Sequence, residues 1–313
     1  STNRLDKNRE GNCVSSLSER LAKGKTLWIL LLVLVTLFWG NSFIAIKHIV
    51  AHVSPLELVT LRFVPVALTF AALLLPTRGS EVRNLIRDEG LRLAFLGLTG
   101  AILYNTFLAW GETEVPAGTA SLIIALNPAF IYALSLVFLG ESFGWARAAG
   151  LAIAFTGLFV IIRWGSGERL TLSTANYALF SFHATAISEI YTVAGKSVVA
   201  RHPPLLVTGV SMMFAGLFSL VFVRPSLLAQ LSTLPPSFWG AVLFLAWPCT
   251  VFAFLVWFSV LEHRDASRVA GFVYLVPMFG VSFSQLLLRE RITAPLLLGA
   301  AILIAGVYLV NRR

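Results

Sequence analysis

Shifted along itself by 149 residues without a gap, this chain matches itself at the residues that apolar segments use most sparingly. Lys47 falls on Lys196, Pro55 on Pro204, Pro76 on Pro225 and Pro128 on Pro277. Glu141 falls on Glu290, Gly150 on Gly299 and Gly157 on Gly306. Matches of Leu or Ala carry little weight in so apolar a chain. Matches of proline, glycine and charge carry more, because each disturbs an apolar helix in a specific way. A chain made of two copies of one unit is expected to fold as two similar halves packed on each other.

Lipid, not water, must be the solvent for most of their surface. The 313 residues are 57% hydrophobic and 12% charged, and the mean hydropathy is +0.82. A soluble chain carries roughly 25% charged residues, so the polar side chains here are too few to cover a water-facing surface. The net charge of +9 would suit a nucleic-acid binder. Cationic loops that orient a membrane protein explain it more simply, and no nucleic acid is expected as a partner. Cys13, in the polar N-terminal stretch, and Cys249, inside an apolar run, are not expected to pair. Residues 1–26 form a polar segment, compatible in part with a vector-derived scar because the first residue is Ser. The apolar run behind it lacks a small-residue cleavage site and is read as a retained span.

A spanning helix needs about 20 mainly apolar residues. Ten segments qualify: 27–46, 55–76, 91–110, 116–138, 145–162, 173–194, 204–223, 237–260, 267–288 and 293–310. Continuous apolarity favours helices over a barrel, whose strands would alternate over about 10 residues. Each half holds an odd number of spans, so the second half must enter the membrane the other way up. The expected fold is an all-α integral membrane protein of ten transmembrane helices, arranged as two inverted five-helix repeats around a central cavity. The first repeat is expected over 27–163 and the second over 172–311. Inverted repeats are common in transporters, with the solute site between the halves. One side, with both termini and the even-to-odd loops, holds 17 Lys and Arg against 6 on the other, Arg62 being inside a span. Both termini are therefore expected in the cytoplasm, although the second half alone gives only 6 against 5.

Residues 37–47, LFWGNSFIAIK, resemble the first-helix signature of the drug/metabolite transporter superfamily, in its EamA branch. The run Pro55-x-x-Leu58-x-x-x-Arg62 fits that branch, as do L-G-E at 139–141 and its echo L-R-E at 288–290. The glycine pairs Gly150/Gly157 and Gly299/Gly306 fit it too. The resemblance covers about residues 27–310, and its strength lies in the ordered set together with the repeat. Within the branch the chain is most similar to YddG-type exporters of aromatic amino acids and related metabolites. The resemblance implies ten helices in two inverted repeats, helices 5 and 10 at the periphery, and export by alternating access.

Candidate residues follow from chemistry that apolar spans do not tolerate idly. Trp39, Tyr104, Trp247 and Tyr274 lie too deep for the interfacial belt and can stack on a planar or apolar solute. Packing or lipid contact is an equal alternative. Asn41 and Asn127 bring amides that bind a polar solute or bond between helices, the commoner role. Arg62 sits about 10 Å into its span at 1.5 Å per residue. It is a candidate contact for a substrate carboxylate, with pairing to Glu57 or snorkelling as the favoured structural alternatives. His183 and Glu189 are the candidates for ion coupling, and His183 also for the solute site, although a lone His in a span is more often a packing residue. Pro128 and Pro277, at matched positions, are candidate gating kinks or static bends. Glu141 and Glu290, at matched span ends, are candidate gate contacts, with structural capping favoured.

No Walker A loop, H-E-x-x-H or CxxC pair is present. No metal, cofactor or enzymatic activity is expected. The expected function is export of small amphiphilic metabolites, aromatic or other neutral amino acids first, across a bacterial-type inner membrane. The alternative is another solute, a purine, a nucleotide sugar or a cationic drug, with proton coupling open. A membrane-embedded enzyme would need a clustered His/Asp/Glu set at one face, which the sequence lacks. Small solute and bilayer are the expected partners. One chain suffices to enclose a cavity, and a dimer stays open.

Overall fold

The computed structural model describes residues 25–127, 130, 144–165, 172–261 and 271–311, and among these every regular element is helical. Helix α1 spans Lys25–Val50. Helix α2, Pro55–Leu96, starts with a capping box: Ser54 Oγ accepts from Glu57 N–H at 3.4 Å, and the Glu57 carboxylate accepts from Ser54 N–H at 2.8 Å. Pro55 fills the first turn, where its missing N–H costs nothing. Such a cap is worth about 1 kcal/mol. It also engages Glu57, which removes that residue as a partner for Arg62.

α2 runs well beyond span 2. Arg78, at φ −134° and ψ 29°, breaks it once, and the chain then stays helical to Leu96. The expected loop 2–3, residues 77–90, is thus a polar helix whose Val82 and Leu85 are buried, and it runs on into the expected third span at the buried Leu93 and Leu96. Low hydropathy was its only loop-like trait; its apolar residues keep helical spacing. A π-helical turn, Gly97–Leu103, leads directly into α3, Tyr104–Glu114. α4 covers Ala117–Ile124, α5 Trp145–Trp164, α6 Leu172–Val199 and α7 Pro204–Ser219. After the short α8, Pro225–Gln230, come α9, Pro236–Ala246, a second π turn, Trp247–Phe252, and α10, Ala253–Leu261. A 3-10 turn, Gly271–Tyr274, opens α11, Leu275–Leu288, and α12 spans Ala294–Asn311.

The elements keep the sequence offset. α2 and α7 both start on a proline, Pro55 and Pro204, and α5 and α12 start at Trp145 and Ala294, each 149 residues apart. The π turn at Gly97–Leu103 maps onto 246–252, where the second π turn lies. Contacts repeat as well. Thr60 Oγ donates to Ser219 O at 2.8 Å, and at the counterpart positions Gly209 faces Phe70. α5 and α12 pack antiparallel: Gly157 lies on Gly299 and Leu303, Gly306 on Gly150 and Ala154, and Thr293 Oγ donates to Gly165 O at 2.7 Å. Only glycine permits this approach, since a Cβ at Gly299 would stand 2.9 Å from Gly157 O.

Among the described residues, five helical runs are long and apolar enough to cross a membrane: Leu27–Val50, Pro55–Glu114, Trp145–Trp164, Pro204–Phe222 and Pro236–Trp257. Phe272–Leu288 and Ala294–Leu309 are apolar but shorter. Large apolar side chains stand outward along them, Leu68 being 66% and Val221 78% exposed. That surface suits acyl chains and not water.

Candidate functional site

A cavity of about 320 Å³ lies where α1, α2, α3, α6 and the two π turns meet. Its volume is at the low end of the roughly 300–1,000 Å³ usual for small-molecule sites. Trp39, Tyr104, Tyr191, Phe254 and Trp257 supply its aromatic wall. Trp39 is braced against Trp257, with ring centroids 5.2 Å apart, and its Nε1–H donates to the Cys249 carbonyl at 3.0 Å. That carbonyl sits in the second π turn, around Pro248, which has no N–H to give.

The polar wall is built on Arg62. Its Nη1 donates to Asn105 Oδ1 at 2.8 Å, and its Nε and Nη2 donate to Thr250 Oγ at 3.2 and 3.0 Å. Asn105 is in turn held by Nδ2–H to Ala101 O at 2.8 Å, and Thr250 Oγ donates to Leu245 O at 2.8 Å. Both supports stand beside the π turns, where loosened backbone bonding leaves acceptors open. The guanidinium has five N–H groups, so two stay available to the cavity. Arg62 neither pairs with Glu57 nor reaches the membrane surface; part of its surface is cavity wall.

Glu189 also lines the cavity and is 3% exposed. Ser188 Oγ donates to its Oε1 at 3.2 Å and stands 3.4 Å from Asn127 Oδ1, while Glu189 Oε2 is buried without a partner. No ion pair joins Arg62 to Glu189 among the described residues. The site therefore sets a guanidinium with free donors and a nearly fully buried carboxylate around one aromatic space.

Trp39, Arg62, Tyr104, Asn127 and Glu189 are thus brought together. Other candidates are not. His183 is exposed on the outer side of α6; its Nδ1 is 2.6 Å from Leu179 O, and Phe107 and Phe182 flank its ring. It is bonded to its own helix and is absent from the cavity wall. Trp247 is 44% exposed and turned away from the cavity, its Nε1–H donating to Thr69 Oγ at 3.2 Å. Asn41 and Tyr274 are half-buried and absent from the cavity wall, although Ser42, Val273 and Val276 belong to it. Pro277 stands in the first turn of α11, after a 3-10 turn, instead of kinking the middle of an α-helix. Pro128 and Glu141 lie outside the described residues.

Glu290 is found in a capping role. Its carboxylate accepts from Ala117 N–H at 2.8 Å and Gly118 N–H at 3.1 Å, so it caps the first turn of α4 from the end of α11. Lys47 works beside it: Nζ donates to the carbonyls of Glu112, Thr113 and Val115 at 2.7, 3.2 and 3.0 Å, capping the end of α3. The α3–α4 connection is thereby fastened to α1 and α11. Sequence reading passed over Thr250 and Lys47, whose residue types carry no signal of these roles. Trp39→Phe keeps the ring and deletes the bond to Cys249 O. It is expected to destabilise the protein by about 1 kcal/mol, read by thermal unfolding in micelles.

Comparison with known proteins gives the same organisation in two parts. A model of the EamA-like transporter family matches residues 26–163 and again 176–312. An uncharacterized transporter of Archaeoglobus fulgidus is 30% identical over 286 residues, covering 91% of this chain and 99% of its own. A "Probable terminal-alkyne amino-acid exporter" of Streptantibioticus cattleyicolor is 35% identical over 291 residues, with 92% and 94% covered. A solved crystal structure superposes with a TM-score of 0.60 at 20% identity, over 92% of this chain and 97% of its own; that likeness concerns the fold alone.

Proposed function

Because this chain belongs to the EamA-like transporter family, we propose that it exports small neutral amino acids, apolar or aromatic ones foremost. Arg62 receives the α-carboxylate, Glu189 the α-ammonium group, and the rings of Trp39, Tyr104 and Trp257 the side chain. The observation that carries this reading is that a guanidinium with free donors and a carboxylate, not bonded to each other, line one small aromatic cavity. A zwitterion satisfies both at once, whereas a purely cationic or anionic solute leaves one buried charge without a partner. The relative named as an amino-acid exporter supports the same solute class.

The halves 27–163 and 172–311 act as inverted repeats that rock about the cavity, so that it opens to each side of the membrane in turn. The matched contacts of α2 with α7 and of α5 with α12 support that arrangement. Both termini face the cytoplasm of a bacterial-type inner membrane, as the Lys and Arg distribution indicates. In this scheme Pro128, Glu141 and Glu290 belong to the two gates, Pro277 shapes the start of α11, and one chain is the working unit.

The test is counterflow of labelled phenylalanine, tryptophan, threonine and methionine in liposomes holding only this protein. Competitors are the amino-acid amide, which lacks the carboxylate, and the 2-oxo acid, which lacks the ammonium group. Each is expected to compete at least about tenfold more weakly than the parent amino acid, as for loss of one charge-assisted contact. Equal competition by either analogue removes the zwitterion assignment, and absence of counterflow removes the amino-acid reading.

A further inference from the structure

Glu112 is the most deeply buried carboxylate among the described residues, at 0% exposure, and both its oxygens lack a hydrogen-bond partner. It lies on the stripe of α3 that carries Asn105 and Leu108, both cavity-lining, at helical spacings of three and four residues. It is therefore one turn, about 6 Å, beyond the cavity wall toward the fastened α3–α4 connection. Nothing in the solute site described above uses it.

The charges around it can be counted. Lys47 on α1 and Glu290 at the end of α11 are its charged neighbours. Lys47 spends its three N–H groups on carbonyls and has none left for the Glu112 side chain. Glu290 is engaged by two backbone N–H bonds from the start of α4. Glu57 of α2 is engaged in its capping box. α6 brings Tyr177, half-buried, and an exposed His183 to this end; α4 brings no titratable side chain within Ala117–Ile124; Glu114 on α3 itself is exposed. Tyr104, on α3 itself, lies within electrostatic reach from the cavity side, and Arg289 and Arg291 beside Glu290 are exposed. None of these groups bonds the Glu112 carboxyl, which is left as a buried site that a proton can occupy.

We propose that Glu112 is the proton-binding site of the transporter, and that closure of the α3–α4 end traps a proton there that is exchanged for solute. When this end opens, the carboxylate meets water and takes a proton from hydronium, leaving water behind. When it closes, the acid O–H is cut off from that side and returns its proton to water only by way of the cavity, past Leu108. One proton then moves inward for each solute moved outward, and no other reactant is needed. The direction rests on the export reading and orientation given above; the proton site itself does not.

The experiment uses the whole protein in liposomes with a pH-sensitive dye in the lumen. Wild type is expected to accumulate labelled phenylalanine under an imposed pH gradient, and to move protons when solute moves. Glu112→Gln, isosteric and permanently neutral, is expected to retain solute-for-solute exchange within about twofold and to lose gradient-driven accumulation by at least about tenfold. Gradient-driven accumulation by Glu112→Gln at the wild-type level, or wild-type transport that moves no protons, overturns the proposal. Infrared spectroscopy of the purified protein gives an answer that does not depend on transport. A protonated-carboxyl band at neutral pH, present in wild type and missing from Glu112→Gln, supports the site; its absence from wild type overturns it. Failure of exchange by wild type strikes the amino-acid reading instead, and the infrared band still decides whether Glu112 holds a proton.

Discussion

Replacing Arg62 by lysine is expected to lower amino-acid counterflow roughly 100-fold while leaving the protein folded. Lysine keeps the charge, so the change isolates geometry. The guanidinium is a planar fork that reaches Asn105 with one arm and Thr250 with the other, and still offers N–H groups to the cavity. An ammonium has three donors converging on one point. It cannot hold Asn105 and Thr250 apart and also grip both oxygens of a carboxylate. Loss of charge-assisted bonds costs about 1.5–3 kcal/mol each, which for one or two bonds gives the stated fall. The accompanying signature is selectivity: the amino-acid amide, lacking the carboxylate, should be affected far less than the amino acid. An equal loss for both would assign Arg62 to the framework of the cavity and not to its solute.

Gly157→Ala is the second change with a large expected effect, and it acts far from the cavity. A methyl group there is driven against the backbone of Leu303 and stands 2.6 Å or less from Gly299 O. Backbone cannot rotate away as a side chain can, so α5 and α12 must separate along their whole contact. Overpacking of this kind costs about 1–3 kcal/mol, a fall in midpoint of roughly 5 °C for a chain of this size. Gly240→Ala is the control. Its Cβ would meet nothing within 4 Å, and alanine favours helix over glycine by about 1 kcal/mol. The two alanines should therefore shift thermal unfolding in opposite directions. Parallel shifts would mean that α5 and α12 do not approach as closely as described.

Which parts of this architecture could be read from the sequence depends on what each part needs. The repeat needs proline and glycine at particular places, and those residues are visible: Pro55 and Pro204 open α2 and α7, and the four glycines at 150, 157, 299 and 306 join α5 to α12. Facing directions were not visible. In a soluble helix the buried stripe is apolar and the other side polar, but lipid is as apolar as a protein core, so that contrast vanishes. Trp39 and Trp247 are alike as sequence; one is braced inside the cavity wall and the other is turned outward. His183 is likewise polar within a span, yet it stands exposed on α6 and outside the cavity wall. The polar helix after Arg78 was hidden by its charges, and the π turns by having no distinctive composition. Lys47 and Glu112 sit close to helix ends, where charge is usually wet, and the packing over that end leaves Glu112 fully buried and Lys47 half-buried.

The two π turns hold one residue more than an α-helical turn would, and a surplus residue behaves as a dislocation does in a crystal row. It can glide: trading one i→i−4 bond for an i→i−5 bond passes the surplus along without a net loss of bonding, and each residue passed turns by about 100°. In the second half the dislocation is pinned, because Pro248 lies within the turn and has no N–H to trade. In the first half Thr99, which keeps its N–H, stands at the matching position, and Gly97 and Gly100 lie close against Ser211 O of α7 and the Tyr191 ring, so packing and not a missing donor holds that turn. The duplicated helices that wall the cavity thus differ in kind, one with a register fixed by its own backbone and the other with a register held only by its neighbours.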